Sequence, residues 1–263
     1  MASRIAVLNN QKLVRFVLPI VSVFVWIGIW AIAAKRIGVP FILPTPGSVF
    51  FDFFSLFAEK RLYVALIRSL GSLAAGFGLG VVAGILFAVP SALSKIFNSV
   101  VSPIFTVIRA TPVASFIIIA WVFLSNSILP GFICFLMTVP IIWSNLTQGI
   151  RSLDPALFEV ARVFRFPFSK TFRLYLFPSL SPFLSSGLST ALGLGWKATI
   201  AAEILVRSPE TLGYWIWDAK AWNTDTSFLF AWTLVVILFS ILFDALVFLL
   251  FRKNTSGRRK RNV

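Results

Sequence analysis

The sequence has no histidine, one cysteine and only nine acidic residues among its 263 positions. The absence of histidine removes the side chain that serves most often as a general base and as a metal ligand. Cys134 can form no disulfide within the chain, and a single cysteine cannot build a zinc or iron–sulfur site. No two carboxyl side chains form a close pair of the kind used in acid–base catalysis. These absences argue against an enzyme, and no metal site and no bound cofactor are predicted for this chain.

The composition is that of a membrane protein. Hydrophobic residues make up 58% of the sequence and charged residues 13%, whereas soluble domains average roughly 45–50% apolar and about 25% charged residues. The abundance of large apolar side chains also excludes a disordered chain. The net charge of +15 does not indicate nucleic-acid binding, because the basic residues flank long uncharged runs instead of covering one face.

Six stretches with few or no charges are long enough to cross a bilayer, for which about 20 apolar residues are needed. Continuous apolar runs differ from the short alternating strands of a membrane barrel, so we expect an all-α integral membrane protein. The expectation is one transmembrane domain over residues 1–263, with a cytoplasmic loop at 150–177. The predicted spans cover about residues 16–34, 65–90, 97–125, 128–149, 178–205 and 227–251.

The distribution of basic residues predicts that both termini are cytoplasmic, because cytoplasmic segments carry an excess of Lys and Arg. The basic tail is predicted to lie near anionic lipid head groups, and no nucleic-acid partner is expected. The opposite side would carry Lys35, Arg36, Lys60, Arg61, Arg207 and Lys220. The cytoplasmic side would carry Arg4, Lys12, Arg15, Lys95, Arg151, Arg162, Arg165, Lys170, Arg173, Arg252, Lys253, Arg258, Arg259, Lys260 and Arg261.

Two segments are predicted to be external. The first, Val39–Tyr63, contains a proline-rich turn, and we expect Ser48 to cap a short helix that lies along the membrane interface. The second, Arg207–Thr226, contains Trp215, Trp217 and Trp222. These tryptophans fit an interfacial aromatic belt, and the alternative is a docking surface for a soluble partner.

The loop between the fourth and fifth predicted spans is the most polar part of the chain. Asp154 followed by Pro155 is a helix-start signal, which predicts a helix over Ala156–Phe164. Pro167 is expected to end this helix, and a second short helix leads toward Pro178. The first helix has a substantial apolar face, which fits docking into a groove on another protein. The alternative is packing on the membrane surface.

This loop resembles the "EAA" signature of inner-membrane permeases of binding-protein-dependent ABC importers. In that family Glu-Ala-Ala is followed by a glycine, and a proline opens the next span. Glu159 and Ala161 match the motif, whereas Val160 replaces its first alanine. Arg165 occupies the position of the glycine, and Pro178 matches the proline.

The resemblance extends over nearly the whole chain. It includes the external turn Leu43–Pro46, the glycine-rich second span, the break at Arg109–Ala114 within the third span, and the external Leu212–Tyr214 turn. The segment Gly187–Glu203 is similar to the fifth span of the branch that carries sulfonates, taurine, nitrate and related small anions. The resemblance therefore implies the transmembrane domain of a type I importer, with six spans and a cytoplasmic coupling helix between spans 4 and 5.

The resemblance also implies partners. The chain has no Walker A motif, so ATP and Mg²⁺ would be bound by separate ATPase subunits, of which two are expected. A second permease chain, expected to be a second copy of this one, an external substrate-binding protein and membrane lipid complete the set. The location implied is the inner membrane of a bacterium. The residues expected to couple this chain to the ATPase are Leu157, Phe158, Glu159, Ala161, Arg162 and Arg165.

Candidate residues of the translocation pathway lie in the fifth span. Its small residues fit a pathway lining, and close helix packing alone is the alternative. Charges inside a span usually face a partner or a cavity, and Lys197 would favour an anion there. We expect Arg109 to extend from the third span toward the cytoplasmic interface. The pathway candidates are Gly187, Thr190, Gly193, Lys197 and Glu203.

Two other classes of protein compete with a permease subunit. A self-sufficient secondary transporter needs carboxyl groups for a coupling ion near the midplane and usually has an inverted repeat. Asp244 is the one deep candidate, and the sequence has no convincing repeat. A membrane enzyme would need a nucleophile–base pair or a metal cluster, neither of which the sequence offers.

Overall fold

The computed structural model describes residues 18–222 and 226–259 and, within these ranges, all side chains except those of residues 221, 222, 247, 248 and 250–259. Several predictions fall outside this part of the chain. Residues 16 and 17 of the first predicted span lie outside the described residues. So do the basic residues predicted to be cytoplasmic at the two ends, Arg4, Lys12, Arg15, Lys260 and Arg261.

The described residues are almost all helical and contain no β-strand, which confirms the predicted all-α fold. A π-helical turn, Phe172–Leu176, joins the eighth helix to the ninth. The helices are α1 (Leu18–Ile37), α2 (Pro46–Leu56), α3 (Lys60–Leu93), α4 (Lys95–Ala110), α5 (Val113–Trp121), α6 (Leu129–Arg151), α7 (Pro155–Val163), α8 (Phe168–Thr171), α9 (Phe177–Val206), α10 (Leu212–Trp222) and α11 (Ser227–Arg259).

Among the described residues, four helices are long and apolar enough to cross a membrane: α1, α3, α6 and the Ser227–Leu246 part of α11. α4 and α5 meet the same criterion only as a pair, bent by 99° at the break between them. α9 has 30 residues but is not in this group, because serine, glycine, Lys197 and Glu203 lower its hydropathy. The count of six spans therefore stays a prediction.

Contacts divide the described residues into two compact units. One is formed by the described residues of 18–60 and 216–235, and the other by those of 61–215 and 236–259. In the first unit, the loop between α1 and α2 is held by side chains. The indole Nε1 of Trp30 donates to the carbonyl oxygen of Pro44 at 3.0 Å, and the Trp30 ring stacks on Phe230. The hydroxyl of Ser227 bonds to the carboxyl group of Asp52.

α2 of the same unit corrects one prediction. Thr45, and not Ser48, is the N-cap residue: its Oγ1 accepts a hydrogen bond from the Ser48 amide at 3.3 Å. Pro46 occupies the first turn, where its missing N–H group leaves no intrahelical bond unmade. The helix consequently starts at Pro46, three residues earlier than a cap at Ser48 would allow.

The second unit is organised around α6, which packs along much of α9. Glycines of α3 let that helix approach α6 closely. A methyl group on Gly80 would lie 2.6 Å from Cβ of Thr138, and one on Gly84 would lie 2.6 Å from Cβ of Ile142. Two apolar clusters fill this unit. One joins α3, α4 and α6 (Ala88, Val101, Phe105, Val139, Trp143, Leu146) and the other joins α5, α6 and α9 (Ile117, Leu129, Ile133, Ala198, Ala202, Val206).

The segment predicted as a third span consists of two helices. α4 ends at Ala110 because Thr111 has an extended backbone, with φ −82° and ψ 133°. Thr111 precedes Pro112, and the proline ring disfavours a helical conformation for the residue before it. The break coincides with the position at which the resemblance implied one, and the helical part ends at Trp121.

Candidate functional site

α7 is a capped helix whose residues are all exposed except the half-buried Ala161. The Oδ1 atom of Asp154 accepts a hydrogen bond from the Ala156 amide at 2.9 Å, and Pro155 occupies the first turn. No residue of α7 is buried. A helix of nine residues is too short to be stable alone in water, so these local signals and contacts with the next segment must hold it in place.

Tyr175, in the π-helical turn, provides that contact. Its ring meets the ring of Phe158 edge to face, with 5.2 Å between the centroids. Its hydroxyl donates to the carbonyl oxygen of Asp154 at 2.9 Å. The turn therefore holds α7 from one side, while other apolar side chains of the helix remain exposed. Leu157 is 45% exposed, and Val160 and Val163 are 48% and 76% exposed.

The backbone conformation just after α7 explains why the family motif has a glycine at this position. Arg165 has a positive φ of 49°, a left-handed conformation that costs most residues roughly 1–2 kcal/mol relative to a right-handed one. The Phe166 amide donates to the carbonyl oxygen of Ala161, and the Arg165 amide to that of Arg162. Such bonds end a helix at a position that glycine usually fills. Arg165 therefore adopts a backbone conformation that glycine adopts at a lower cost.

The six predicted coupling residues lie on one short segment. Glu159 and Arg162 are exposed and one helical turn apart, which places them on neighbouring positions of the surface. Ala161 is half-buried, and Arg165 is exposed just beyond the helix. The segment therefore offers exposed apolar side chains together with charges of both signs. Their role in coupling to an ATPase stays a prediction.

The predicted pathway residues of α9 fall into three environments. Gly187 is buried where α9 packs on α6, since a methyl group on it would lie 3.2 Å from Cβ of Asn145. Thr190, Gly193 and Lys197 border a cavity of about 310 Å³. Asp244 of α11 borders the same cavity, and no ion pair joins it to Lys197 among the described residues.

Glu203 is fully buried near the end of α9. Its Oε2 atom accepts hydrogen bonds from the hydroxyl of Ser69 at 2.8 Å and from the Gly213 amide at 3.0 Å. The Leu212 amide donates to Oγ of Ser69 at 3.0 Å. We call this set of hydrogen bonds the Glu203 clasp. It joins α3, α9 and the first turn of α10, whose free amides a carboxyl group satisfies well.

A second cavity, of about 530 Å³, brings together two basic residues from different helices. Arg109 is in the last turn of α4, and Lys197 is on α9. Both are exposed, and neither forms an ion pair with any residue in the described part of the chain. The remaining lining is mostly apolar and comes from α4, α5, α6 and α9 (Ile108, Val113, Met137, Pro140, Ile141, Leu194, Ala198, Ala201). We call this the basic cavity.

The sequence identified Lys197 but not its neighbour in this cavity. Arg109 was expected to extend toward the cytoplasmic interface. The structure places it beside the break between α4 and α5, on the cavity that Lys197 also borders. The signal that could have found it is the dipeptide Thr111-Pro112, which ends α4 close to a charged residue inside an apolar stretch.

These helices, four of which are long and apolar enough to cross a membrane among the described residues, define an all-helical membrane protein. The chain belongs to the family described as binding-protein-dependent transport system inner membrane components, which matches residues 80–256. The predicted kinship with ABC-importer permeases is thereby confirmed.

Curated relatives cover most of the chain. The bicarbonate transport system permease protein CmpB of Synechococcus elongatus is 31% identical over 226 residues, which is 81% of each chain. The nitrate import permease protein NrtB of a Synechocystis species is 29% identical, over 80% of this chain and 78% of its own. The putative aliphatic sulfonates transport permease protein SsuC of Bacillus subtilis is 28% identical, over 90% and 84% respectively.

Proposed function

We propose that this chain forms the translocation pathway of an ATP-driven importer for a small anion. The relatives named above are described as permeases for bicarbonate, nitrate and aliphatic sulfonates, and these share a small, negatively charged oxygen-bearing group. The substrate class proposed is therefore a small oxyanion, inorganic or organic.

The observation that carries this proposal is α7, a capped amphipathic helix with no buried residue. An amphipathic helix of this kind is suited to a groove on a partner protein. The partner is a separate ATPase, which binds ATP and Mg²⁺, because the sequence has no phosphate-binding loop. Nucleotide-driven movement of the ATPase would act on α7 and shift the permease between two states.

The assembly proposed contains two copies of this chain and two ATPase subunits, with an external binding protein that delivers the anion. Both termini lie in the cytoplasm of a bacterial cell, as the distribution of basic residues favours. Native mass measurement after purification in mild detergent, from cells that express the neighbouring genes together, tests this composition. A single chain or simple dimer that imports an anion without any ATPase would overturn the proposal in favour of a secondary transporter.

The coupling role of α7 has a more direct test. Glu159→Ala removes an exposed acidic group from the proposed docking face, and we expect transport-coupled ATP hydrolysis in proteoliposomes to fall at least about tenfold, as for one charged hydrogen bond. Glu210→Ala is the matched control. Glu210 is also an exposed glutamate, and its ion pair with Arg68 is solvent-accessible. Coupled hydrolysis that is equal in both variants would contradict the assignment.

A further inference from the structure

The basic cavity places two positive side chains in largely apolar surroundings, and neither forms an ion pair with a described residue. A charged group inside a membrane-spanning segment costs about 2.5–3.5 kcal/mol on insertion scales, and such groups usually face a partner, a substrate or water. Arg109 and Lys197 border one cavity, and the described residues that line it include no acidic side chain. Asp244 borders the neighbouring cavity, which Lys197 also lines. Two like charges that share a cavity repel each other. A bound anion would attract both side chains and so offset that repulsion.

A helix end adds to the positive potential of the same cavity. α5 has nine residues and begins at Val113, which lines the basic cavity. Pro112, the residue before it, makes no side-chain cap bond. The Ser115 amide donates to the carbonyl oxygen of Pro112, which leaves the amides of Val113 and Ala114 as the donors at this helix end. The N-terminus of a helix carries a partial positive charge and attracts anions. In several transporter folds, discontinuous helices whose N-termini face an anionic group form the substrate sites.

The cavity lies at mid-length of a membrane-spanning helix. Pro140 is one of its lining residues, and it is eleven residues from each end of α6 (Leu129–Arg151). A volume of about 530 Å³ holds a small anion together with several waters, each of which takes about 30 Å³ in the liquid. A hydrated anion would therefore reach the site without losing all of its water.

We propose that the basic cavity is the binding site at which the permease holds its anion within the membrane, with Arg109, Lys197 and the N-terminus of α5 as its ligands. This inference rests on the proposed function and adds the location and the chemistry of the site. The guanidinium group of Arg109 can bind two oxygens of a planar oxyanion at once. Lys197 contributes a single positive charge from α9, whereas Arg109 belongs to α4.

The first test is uptake of nitrate, bicarbonate and methanesulfonate, each measured separately in proteoliposomes that contain the complete importer. For the transported anion we expect Lys197→Gln and Arg109→Gln to raise KM by about 10-fold to 100-fold, the effect of one charged hydrogen bond. Lys197→Arg, which keeps the charge, should retain a KM within about threefold of the wild type. Lys95→Gln is the matched control, because it removes one positive charge at the start of α4, away from the cavity.

The second test measures binding without transport. Leu194 lines the basic cavity, and in a Cys134→Ser background Leu194→Cys provides one reactive thiol there. We expect the transported anion to slow labelling of this thiol by a neutral maleimide, and addition of Lys197→Gln to abolish the protection. This readout does not depend on ATP hydrolysis, so a variant that binds poorly is distinguished from one that couples poorly.

The outcomes separate the two proposals. ATP-dependent uptake by the wild type, with KM unchanged within twofold in both neutral variants and protection retained, would overturn the site and leave the proposed function intact. No ATP-dependent uptake of any of the three anions by the intact complex would contradict the proposed function, and this site with it. Loss of protection together with a raised KM supports both.

Discussion

Two charged side chains of α9, Lys197 and Glu203, are six residues apart and have opposite surroundings. Lys197 is exposed, borders two cavities and forms no ion pair with a described residue. Glu203 is fully buried and accepts hydrogen bonds from a side chain of α3 and an amide of α10. The sequence suggests the same role for both. The structure suggests that Glu203 connects helices, whereas Lys197 is available to a ligand.

The difference has a simple physical basis. A buried polar group stabilises a fold only through the hydrogen bonds that it makes, so a carboxyl group that accepts hydrogen bonds from two other segments has a structural role. One oxygen of Glu203, Oε1, has no hydrogen-bond partner in the part of the chain described, but Oε2 has two. A charge beside a cavity that forms no ion pair does not connect helices, and such a charge is a candidate for contact with a ligand. The following predictions test this contrast through stability.

The largest effect is expected at Glu203. Glu203→Ala would leave the Ser69 hydroxyl and the Gly213 amide without their acceptor and would open a cavity at a fully buried position. We expect a loss of about 2–4 kcal/mol in the free energy of unfolding, seen as a lower melting temperature in detergent. Glu203→Gln keeps one acceptor oxygen and should lose about half as much. An unchanged melting temperature in the alanine variant would contradict the clasp.

The second-largest loss of stability is expected at Gly213, because the structure leaves no room for a side chain at this position. A methyl group on Gly213 would overlap Cβ of Glu203 and would lie 2.7 Å from the backbone nitrogen of Ile204. We expect Gly213→Ala to lower stability by about 1–3 kcal/mol through strain at the clasp. Gly78→Ala is the control: no atom lies within 4 Å of the methyl group it would add, so stability should be equal or higher. Equal melting temperatures for the two variants would disprove the tight contact.

A smaller effect is expected at Ser69, whose hydroxyl both donates to Glu203 and accepts from the Leu212 amide. Ser69→Ala removes both hydrogen bonds without opening a large cavity. Polar contacts between membrane helices contribute about 0.6 kcal/mol on average, so a loss of about 1 kcal/mol is expected. Combined with Glu203→Ala it should add only the part that comes from the Leu212 amide, because both substitutions break the bond between Ser69 and Glu203. A fully additive double variant would show that the two residues act separately.

The sequence predicts the chemistry of these regions better than their geometry. The helix start at Asp154-Pro155 and the all-helical fold follow from local signals that act within a few residues. The positive φ of Arg165 explains why the family motif has a glycine at this position. The sequence alone shows only that this chain has an arginine there instead. Glu203 and Ser69 are 134 residues apart in sequence, and Arg109 and Lys197 are 88 apart. Such pairs depend on how the helices pack, and a single sequence taken alone carries no signal for them.

The smallest change in stability is expected at Lys197, and this prediction separates the two charges most sharply. Lys197→Met keeps a long apolar side chain and removes a charge that has no partner in the described residues. The free energy of unfolding should change by less than about 0.5 kcal/mol, or increase, as for an exposed position without a structural role. The melting temperature in detergent is the measurement, and Glu203→Ala measured in parallel gives the scale. A drop for Lys197→Met as large as that for Glu203→Ala would mean that Lys197 also holds helices together. Its place beside Arg109 would then be a consequence of packing, and the anion site would lose one of its three ligands.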